Sequence, residues 1–234
     1  MPDVALTWLG HGSYRIDSPS GKRIYVDPWL ENPKCPESER EPERLDVMVL
    51  THGHGDHIGS AVELGQRHSP AVVAIIELAT WLEAQGVANA SALGMNKGGT
   101  VQVDGTKFHM THAIHSGGFV ADGDRITYLG DPAGFVLEFE NGTKVYAAGD
   151  TALFGDMELI ARYLSPELAI LPIGDHFTMG PRQAAAALEL LACKRCIPIH
   201  WGTFPVLTGT PDQLREHAPG IDVISLEPGE AVTI

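Results

Sequence analysis

The sequence at 46–57 reads Asp-Val-Met-Val-Leu-Thr-His-Gly-His-Gly-Asp-His, a short apolar run followed by a histidine-rich motif. The motif holds four potential metal ligands in six positions, namely His52, His54, Asp56 and His57. In an extended chain, residues two apart point to the same side, so His52 and His54 share a side. Glycines at 53 and 55 allow the backbone to turn tightly around an ion. The motif therefore predicts half of a two-metal site, against the alternative of a polar loop that happens to contain several histidines.

The segments around this motif predict alternating strands and helices. Apolar residues at Ile58, Ala61, Val62 and Gly65 have helical spacing, so a helix is expected to begin where the motif ends. A loop at 29–44, rich in Pro, Glu and Arg, is either a mobile flap or solvated surface. The glycine-rich turn at 94–99 lacks the spacing of a phosphate-binding loop and is interpreted as structural. The other elements predicted in this half are strands at 5–8, 14–16, 23–26 and 71–76 and a helix at 77–85.

The second half begins with β-rich segments and returns to strand–helix alternation. Asp-Gly, Gly-Asp and Asn-Gly pairs separate its first strands and indicate hairpins. The strands are predicted at 101–103, 107–113, 126–129, 134–139, 144–148, 168–172 and 196–199, with helical stripes at 157–164 and 184–191. Neither a linker nor a change in composition separates the halves. We expect one domain over 1–234, built of two similar halves with helices covering each sheet on its outer side.

Composition narrows the class of protein. The chain has 234 residues, of which 44% are hydrophobic, enough for a sizeable buried core. Its net charge of −14 disfavours a nucleic-acid partner and favours a small-molecule substrate. Three cysteines cannot form a disulfide framework and fit a reducing compartment. The sequence shows neither a signal segment nor an apolar run of the roughly 20 residues that a membrane span needs, so a cytoplasmic location is expected. A homo-oligomer is left open.

Three further candidate ligands follow later predicted strands, namely His115, Asp150 and His200. With the motif they make five imidazoles and two carboxylates, a set that suits Zn²⁺ and also tolerates Mn²⁺ or Fe²⁺. One metal would leave ligands over. Two metals that share the Asp150 carboxylate use the whole set and keep a place for a bridging water.

The sequence resembles the metallo-β-lactamase superfamily through His-x-His-x-Asp-His at 52–57, a lone His115, Gly-Asp-Thr at 149–151 and a late His200. The resemblance implies a four-layer αββα sandwich with the metals at the open edge between two sheets. It assigns His52, His54 and His115 to one metal, Asp56, His57 and His200 to the other, and Asp150 to both.

Other segments are similar to a branch of poorly characterised metal-dependent hydrolases related to ascorbate-6-phosphate lactonase. These segments are 8–13, 27–29 and 172–181. The branch implies a class of enzyme and leaves the substrate open. The flavodiiron branch carries an acidic ligand where this chain has His54, so redox diiron chemistry is disfavoured.

The expected enzyme is a dinuclear metal-dependent hydrolase in which a hydroxide bridging the metals attacks a small-molecule ester, lactone, thioester or phosphoester. Asp56 and Asp150 would hold the hydroxide, and Asp56 could accept its proton. His176 or His11 would donate a proton to the leaving group. Asp27 is expected to orient a ligand, with a turn-initiating aspartate as the alternative.

One alternative to an enzyme stays open at this point. A metal-loaded binding or scaffolding protein would need the same ligands without catalysing a reaction.

Substrate specificity is expected to lie in the 29–44 segment and in the loops at 94–99 and 117–125. The remaining histidines and the Cys-x-x-C pair are interpreted as packing or surface residues, namely His68, His109, His112, His217, Cys193 and Cys196.

Overall fold

Two β-sheets share an apolar core in the computed structural model, which describes residues 3–120 and 125–234. The first sheet has the strand order β15-β1-β2-β3-β4-β5. Strands β1 to β3 are antiparallel, whereas β3, β4 and β5 run parallel. The strands are β1 (Ala5–Trp8), β2 (Tyr14–Asp17), β3 (Arg23–Val26), β4 (Val47–Val49), β5 (Ala71–Val73) and β15 (Ala231–Thr233).

The second sheet has the order β14-β13-β12-β11-β10-β7-β6, and a separate hairpin pairs β8 with β9. Strands β11 to β14 run parallel, while β10 is antiparallel to both of its neighbours. The strands are β6 (Thr100–Val103), β7 (Thr106–His112), β8 (Gly118–Val120), β9 (Ile126–Tyr128), β10 (Ala133–Glu138), β11 (Lys144–Ala147), β12 (Leu168–Pro172), β13 (Arg195–Ile199) and β14 (Asp222–Val223).

Helices cover the outer face of each sheet. The helices are α1 (Gly55–Ile58), α2 (Ala61–His68), α3 (Ile76–Ala84), α4 (Met157–Leu164), α5 (Pro181–Leu190) and α6 (Pro211–His217), with 3₁₀ turns at Glu37–Glu39 and Ala90–Leu93. Side chains alternate between the two faces of a strand, and β12 shows the consequence. Ile170 joins the core between the sheets, whereas Ala169 and Leu171 join a second core under α4 and α5. The layers confirm the predicted αββα sandwich.

The helix after the histidine motif begins earlier than its apolar stripe predicts. One turn, α1, begins at Gly55 and contains Asp56 and His57, and α2 begins again at Ala61. The prediction was wrong because a helix can start with polar residues that carry no apolar period. A Cβ on Gly59 would lie 2.5 Å from Trp29 Cδ1, so this glycine lets the indole pack closely at the break.

The segment at 29–44 packs against the fold at several points. Leu30, Asn32 and Cys35 are buried, and the Asn32 amide donates hydrogen bonds to the carbonyls of Leu9 and Trp29. Plain solvated surface therefore does not describe the segment.

Some predicted elements differ from the structure in extent. The strand predicted at 71–76 ends at Val73, and α3 begins at Ile76. The strands β8, β14 and β15 and the helix α6 were not predicted. Residues 121–124, within the predicted specificity loop at 117–125, lie outside the described residues. None of the helices in the described ranges combines the length and apolar character needed to cross a membrane.

Candidate metal centre

Six strand ends bring predicted site residues to one edge of the sandwich. In the first sheet, β1, β3 and β4 point the same way and lead into His11, Asp27 and His52. In the second sheet, β7, β11 and β13 point the same way and lead into His115, Asp150 and His200. Residues far apart in the sequence meet there because strands that point the same way end at the same edge.

The first group of donor atoms belongs to His52, His54 and His115. Their candidate ligand atoms all lie within 4.8 Å of one another. His52 Nε2 is 3.0 Å from His54 Nδ1, and the His115 ring stands about perpendicular to the His52 ring at a centroid distance of 5.1 Å. His54 Nε2, on the other side of its ring, lies 3.1 Å from the Ser116 hydroxyl.

The second group contains Asp56, His57 and His200, together with His11. Asp56 Oδ2 lies 3.0 Å from His11 Nε2 and 3.8 Å from His200 Nε2. His11, His57 and His200 are buried, while Asp56 is partly exposed. The sequence predicts His11 as a proton donor. In the structure His11 lies beside the predicted ligands, so its ring nitrogen is also a potential metal-ligating atom.

Asp150 lies between the two groups. Its Oδ2 is 3.1 Å from His200 Nε2 and 3.4 Å from His57 Nε2 in one group. The same oxygen is 3.6 Å from His115 Nε2 and 4.0 Å from His52 Nε2 in the other. One carboxylate thus faces both groups, as a shared ligand would.

The buried atoms at this centre fit a cation. Among the described residues, His57 Nε2, His200 Nε2 and Asp150 Oδ1 are buried without a well-directed hydrogen bond, although they crowd together. Buried polar atoms without partners are costly. Imidazole nitrogens and carboxylate oxygens are also the ligands that Zn²⁺ and similar metals use. The donor set therefore fits divalent metal ions.

Asp27 contacts His57 directly and His52 through Thr51, on the sides of these rings away from Asp150. Its Oδ1 accepts a hydrogen bond from the Thr51 backbone N–H at 2.8 Å, and its Oδ2 accepts from the Thr51 hydroxyl at 2.6 Å. The same Oδ2 lies 2.8 Å from His57 Nδ1, and Thr51 Oγ1 lies 3.0 Å from His52 Nδ1. Asp27 therefore contacts one candidate ligand directly and reaches another through Thr51, as its predicted orienting role requires.

Burial and neighbouring charges shift the pKa values at the centre. Burial lowers the pKa of His52 well below its usual value, and it lowers the pKa of His11 to about 4. Burial alone would also lower the pKa of His200, but the Asp150 carboxylate outweighs it and raises the pKa to about 9. Asp150 and Asp27 raise the pKa of His57 against burial in the same way.

The two carboxylates of the centre respond in the opposite direction. Burial would raise the pKa of Asp150, but the charges of His200 and His57 lower it well below the usual value. Burial would likewise raise the pKa of Asp56, and hydrogen bonds with His11 and His200 lower it instead. Without metal, these shifts favour the protonated forms of His57 and His200 and the ionised forms of Asp150 and Asp56.

A cavity of about 360 Å³ opens onto the two groups. Phe177 lines it together with Ser116 and five of the predicted ligands, namely His54, Asp56, His115, Asp150 and His200. His176, predicted as a proton donor, is exposed, and its ring lies 4.4 Å from the Phe177 ring. It is Phe177 that borders the cavity.

Sequence reasoning missed several residues that support the centre. Thr51 immediately precedes the histidine motif, and that adjacency was a usable signal. Thr203, whose hydroxyl lies 3.0 Å from His11 Nδ1, is 192 positions away and gave no signal. The rings of Trp29 and Phe204 pack against the His11 ring, at centroid distances of 5.4 and 5.3 Å.

The residues interpreted as packing or surface groups are not among the groups in the described ranges that could hold a metal ion. His109 lies near Glu138 and His112 near Lys97, both away from the cavity. Cys193 and Cys196 are buried free thiols.

Comparison with known proteins gives the family of the chain. A family model described as beta-lactamase superfamily domain matches residues 22–201. A UPF0173 metal-dependent hydrolase of Koribacter versatilis is 50% identical over 231 residues, with 98% of each chain covered. Another from Roseiflexus castenholzii is 48% identical over 239 residues, covering 99% of this chain and 98% of its own.

Solved structures show the same fold. Igni18, a metallo hydrolase of the hyperthermophilic archaeon Ignicoccus hospitalis, superposes with a TM-score of 0.87 at 33% identity, covering 100% of this chain and 99% of its own. An isothiocyanate hydrolase from Delia radicum gut bacteria gives a TM-score of 0.73 over 98% of both chains at 20% identity, a similarity of fold alone. The chain belongs to the beta-lactamase superfamily and, within it, to the UPF0173 metal-dependent hydrolases.

Proposed function

We propose that this metal-dependent hydrolase is dinuclear and acts on a small-molecule ester, lactone, thioester or phosphoester. The position of Asp150 Oδ2, between 3.1 and 4.0 Å from four imidazole nitrogens of two separate groups, is the observation that carries the proposal. A single ion would leave one of these groups unused.

Each metal would have its own set of ligands. His52, His54 and His115 would hold one, while Asp56, His57 and His200 would hold the other, with Asp150 shared between them. Zn²⁺ suits these nitrogen and oxygen donors, and Mn²⁺ or Fe²⁺ are the alternatives. When bound, a pair of divalent metals supplies Lewis acidity, which acidifies water and polarises the carbonyl or phosphoryl oxygen of a substrate.

Asp56 would receive the proton of the attacking water. Its carboxylate lines the cavity and stays ionised, because hydrogen bonds with His11 and His200 lower its pKa. His11 is neutral at pH 7, since its pKa is about 4. Its Nε2–H would donate to Asp56 Oδ2 while the Thr203 hydroxyl donates to its Nδ1. In this arrangement His11 orients the proton-accepting carboxylate, which leaves His176 as the candidate donor to the leaving group.

We also propose that the chain forms one domain of two similar halves. The core between the sheets contains residues from both halves, such as Leu6 and Ile170. The last strand, β15, pairs with β1 in the first sheet, so the end of the chain completes the first half.

Metal analysis together with a substrate panel tests the proposed function. Protein purified without chelator should contain two metal equivalents per chain and should hydrolyse at least one ester, lactone, thioester or phosphodiester. Asp150→Asn should abolish turnover, whereas Asp222→Asn, at an exposed carboxylate near Arg195, should leave it unchanged. One metal per fully active chain would contradict the dinuclear centre. A fully loaded protein that is inert on the whole panel would favour a binding or scaffolding role.

A further inference from the structure

The β8–β9 hairpin has two apolar faces with different surroundings. Because side chains alternate along paired strands, Val120, Ile126 and Tyr128 share one face and Phe119 lies on the other. Phe119 packs 5.4 Å from the ring of Trp81, which anchors the hairpin to α3. The opposite three side chains are 62%, 71% and 64% exposed. Large apolar side chains grouped on one exposed face indicate a binding surface.

A cavity of about 510 Å³ lies against this exposed face, lined by Val120, Ile126 and Tyr128. That volume falls within the range of about 300–1,000 Å³ that small-molecule pockets occupy. Its inner end is formed by residues that also line the cavity over the candidate metal centre, namely His54, His115 and Ser116. A molecule whose reacting bond lies at the metal centre could therefore extend directly into the apolar cavity.

Tyr128, on the exposed face of β9, has a polar partner beside this cavity. The Tyr128 hydroxyl donates a hydrogen bond to Asp131 Oδ1 at 2.7 Å, which fixes the ring. Lys97 Nζ lies 3.7 Å from Asp131 Oδ2. The carboxylate is thus paired with groups at the rim.

The charges of the lining residues also limit which part of a substrate can occupy the apolar cavity. Within the described part of the chain, the residues lining the two joined cavities include the carboxylates Asp56, Asp131 and Asp150 but neither lysine nor arginine. An anionic group in the apolar cavity would meet neither lysine nor arginine among the lining residues and would lie near Asp131, whereas a hydrocarbon chain or ring would contact the three apolar residues of the hairpin.

We infer that the β8–β9 hairpin binds the apolar acyl portion of the substrate, so that neutral acyl esters, lactones or thioesters are favoured over phosphoesters. This inference rests on the proposed function, because the acyl carbonyl has to lie at the metal centre. Continuity between the two cavities argues for the substrate as the occupant of this face.

Chain-length dependence tests the inference. The metal-loaded full chain is assayed with nitrophenyl esters whose acyl groups have two to eight carbons, and with bis(nitrophenyl) phosphate. Each methylene that enters an apolar site raises kcat/KM by about two- to four-fold, so an octanoyl ester whose six additional methylenes all enter the cavity should exceed the acetyl ester by about 60-fold or more. Ile126→Ser should lower the octanoyl-to-acetyl ratio by about ten-fold. Leu159→Ser, which changes a 47% exposed apolar side chain on α4, should leave the ratio unchanged.

A binding measurement tests the apolar cavity independently of catalysis. The neutral apolar dye N-phenyl-1-naphthylamine should fluoresce in the presence of the wild-type protein and less with Ile126→Ser or Val120→Ser, provided circular dichroism shows equal melting. Octanoyl esters should displace it. If the protein binds the dye but hydrolyses none of the substrates, the apolar binding site is supported and the proposed function is refuted.

Other outcomes would overturn the inference while the proposed function stands. Turnover that is independent of acyl length, or faster on the phosphodiester than on the octanoyl ester, would do so. Binding to phosphatidylcholine vesicles, or a dimer, that is lost with Ile126→Ser would assign the hairpin face to a membrane or to a second copy of the chain.

Discussion

Asp27→Asn should weaken metal binding while the fold is retained. Asp27 is buried and accepts three hydrogen bonds, from the Thr51 N–H, the Thr51 hydroxyl and His57 Nδ1–H. In the asparagine variant, the amide oxygen must stay opposite the Thr51 N–H, so the NH₂ group takes the place of Oδ2. His57 Nδ1 would then face a donor and would have to give up its proton. The proton of a neutral His57 would move to Nε2, the atom that faces Asp150, where it blocks a metal.

The size of the effect follows from which groups touch Asp27. Loss of a group that orients a metal-binding histidine typically costs 10- to 100-fold in affinity, or about 1.4–2.7 kcal/mol. His57 contacts Asp27 directly, so its metal should be weakened by about 100-fold. His52 depends on Asp27 only through Thr51 Oγ1, so its metal should be weakened by about 10-fold. In the proposed dinuclear centre, the affinities of the two metals should therefore differ.

Competition with a chelator of known affinity measures both constants, and ¹⁵N NMR of the imidazoles reports the tautomer of His57. Asp46→Asn is the matched control, because Asp46 also accepts a backbone hydrogen bond, from Arg23, but precedes β4 at its opposite end. The control should bind both metals as the wild type does. Equal affinities in Asp27→Asn and the wild type, with His57 still protonated at Nδ1, would refute the reasoning.

Three more predictions concern the centre. Gly12→Ala should lower metal content, because a Cβ there would lie 2.6 Å from His57 Cε1, whereas Gly155→Ala, with nothing within 4 Å, should not; equal metal content in both would contradict this. The metal-free protein should lose stability as the pH rises from 6.5 to 9, on the order of 1–3 kcal/mol, since folding raises the pKa of His200 to about 9 and its bound proton stabilises the fold fully only below 6.5. A Tm that rises over this interval in chelator-treated protein would show the sign to be wrong. His176→Ala should lower kcat far more for esters with poor leaving groups than for nitrophenyl esters, and equal losses would indicate a binding role.

The sequence indicates most of the candidate ligands through a local pattern. Four of the seven fall within 52–57, where no packing requirement would place them. The other three follow buried strands, and apolar runs are readable from composition. The sheet pairing that brings Asp150 and His200 to His52 came from the family resemblance, since spacing alone does not specify which strands lie side by side.

The missed elements are short or ambiguous in the sequence. The hairpin strand β8 has three residues and begins at Gly118, inside the segment 117–125 that the sequence predicts as a loop. Helix α6 carried a usable signal, because Thr210 caps it, Pro211 opens it and the Gln213 side chain completes a capping box. The strand β15 pairs with β1 across almost the whole sequence, a contact that no local pattern encodes.

Backbone conformation at the strand ends was beyond sequence reasoning for a physical reason. His11, Asp27 and His200 have φ angles of 50°, 47° and 56°, in the left-handed region that costs a residue with a side chain about 1–2 kcal/mol. Long-range hydrogen bonds hold these turns, from the His200 N–H to the His11 carbonyl and from the Asp27 N–H to the Val49 carbonyl. Glycine would relieve the strain at any of the three positions, but it would remove the imidazole or carboxylate that the turn directs toward the metal centre. The strained backbone and the candidate ligand atoms therefore occur at the same residues. For this reason, local backbone propensity does not predict the conformation of the strand ends that form the candidate centre.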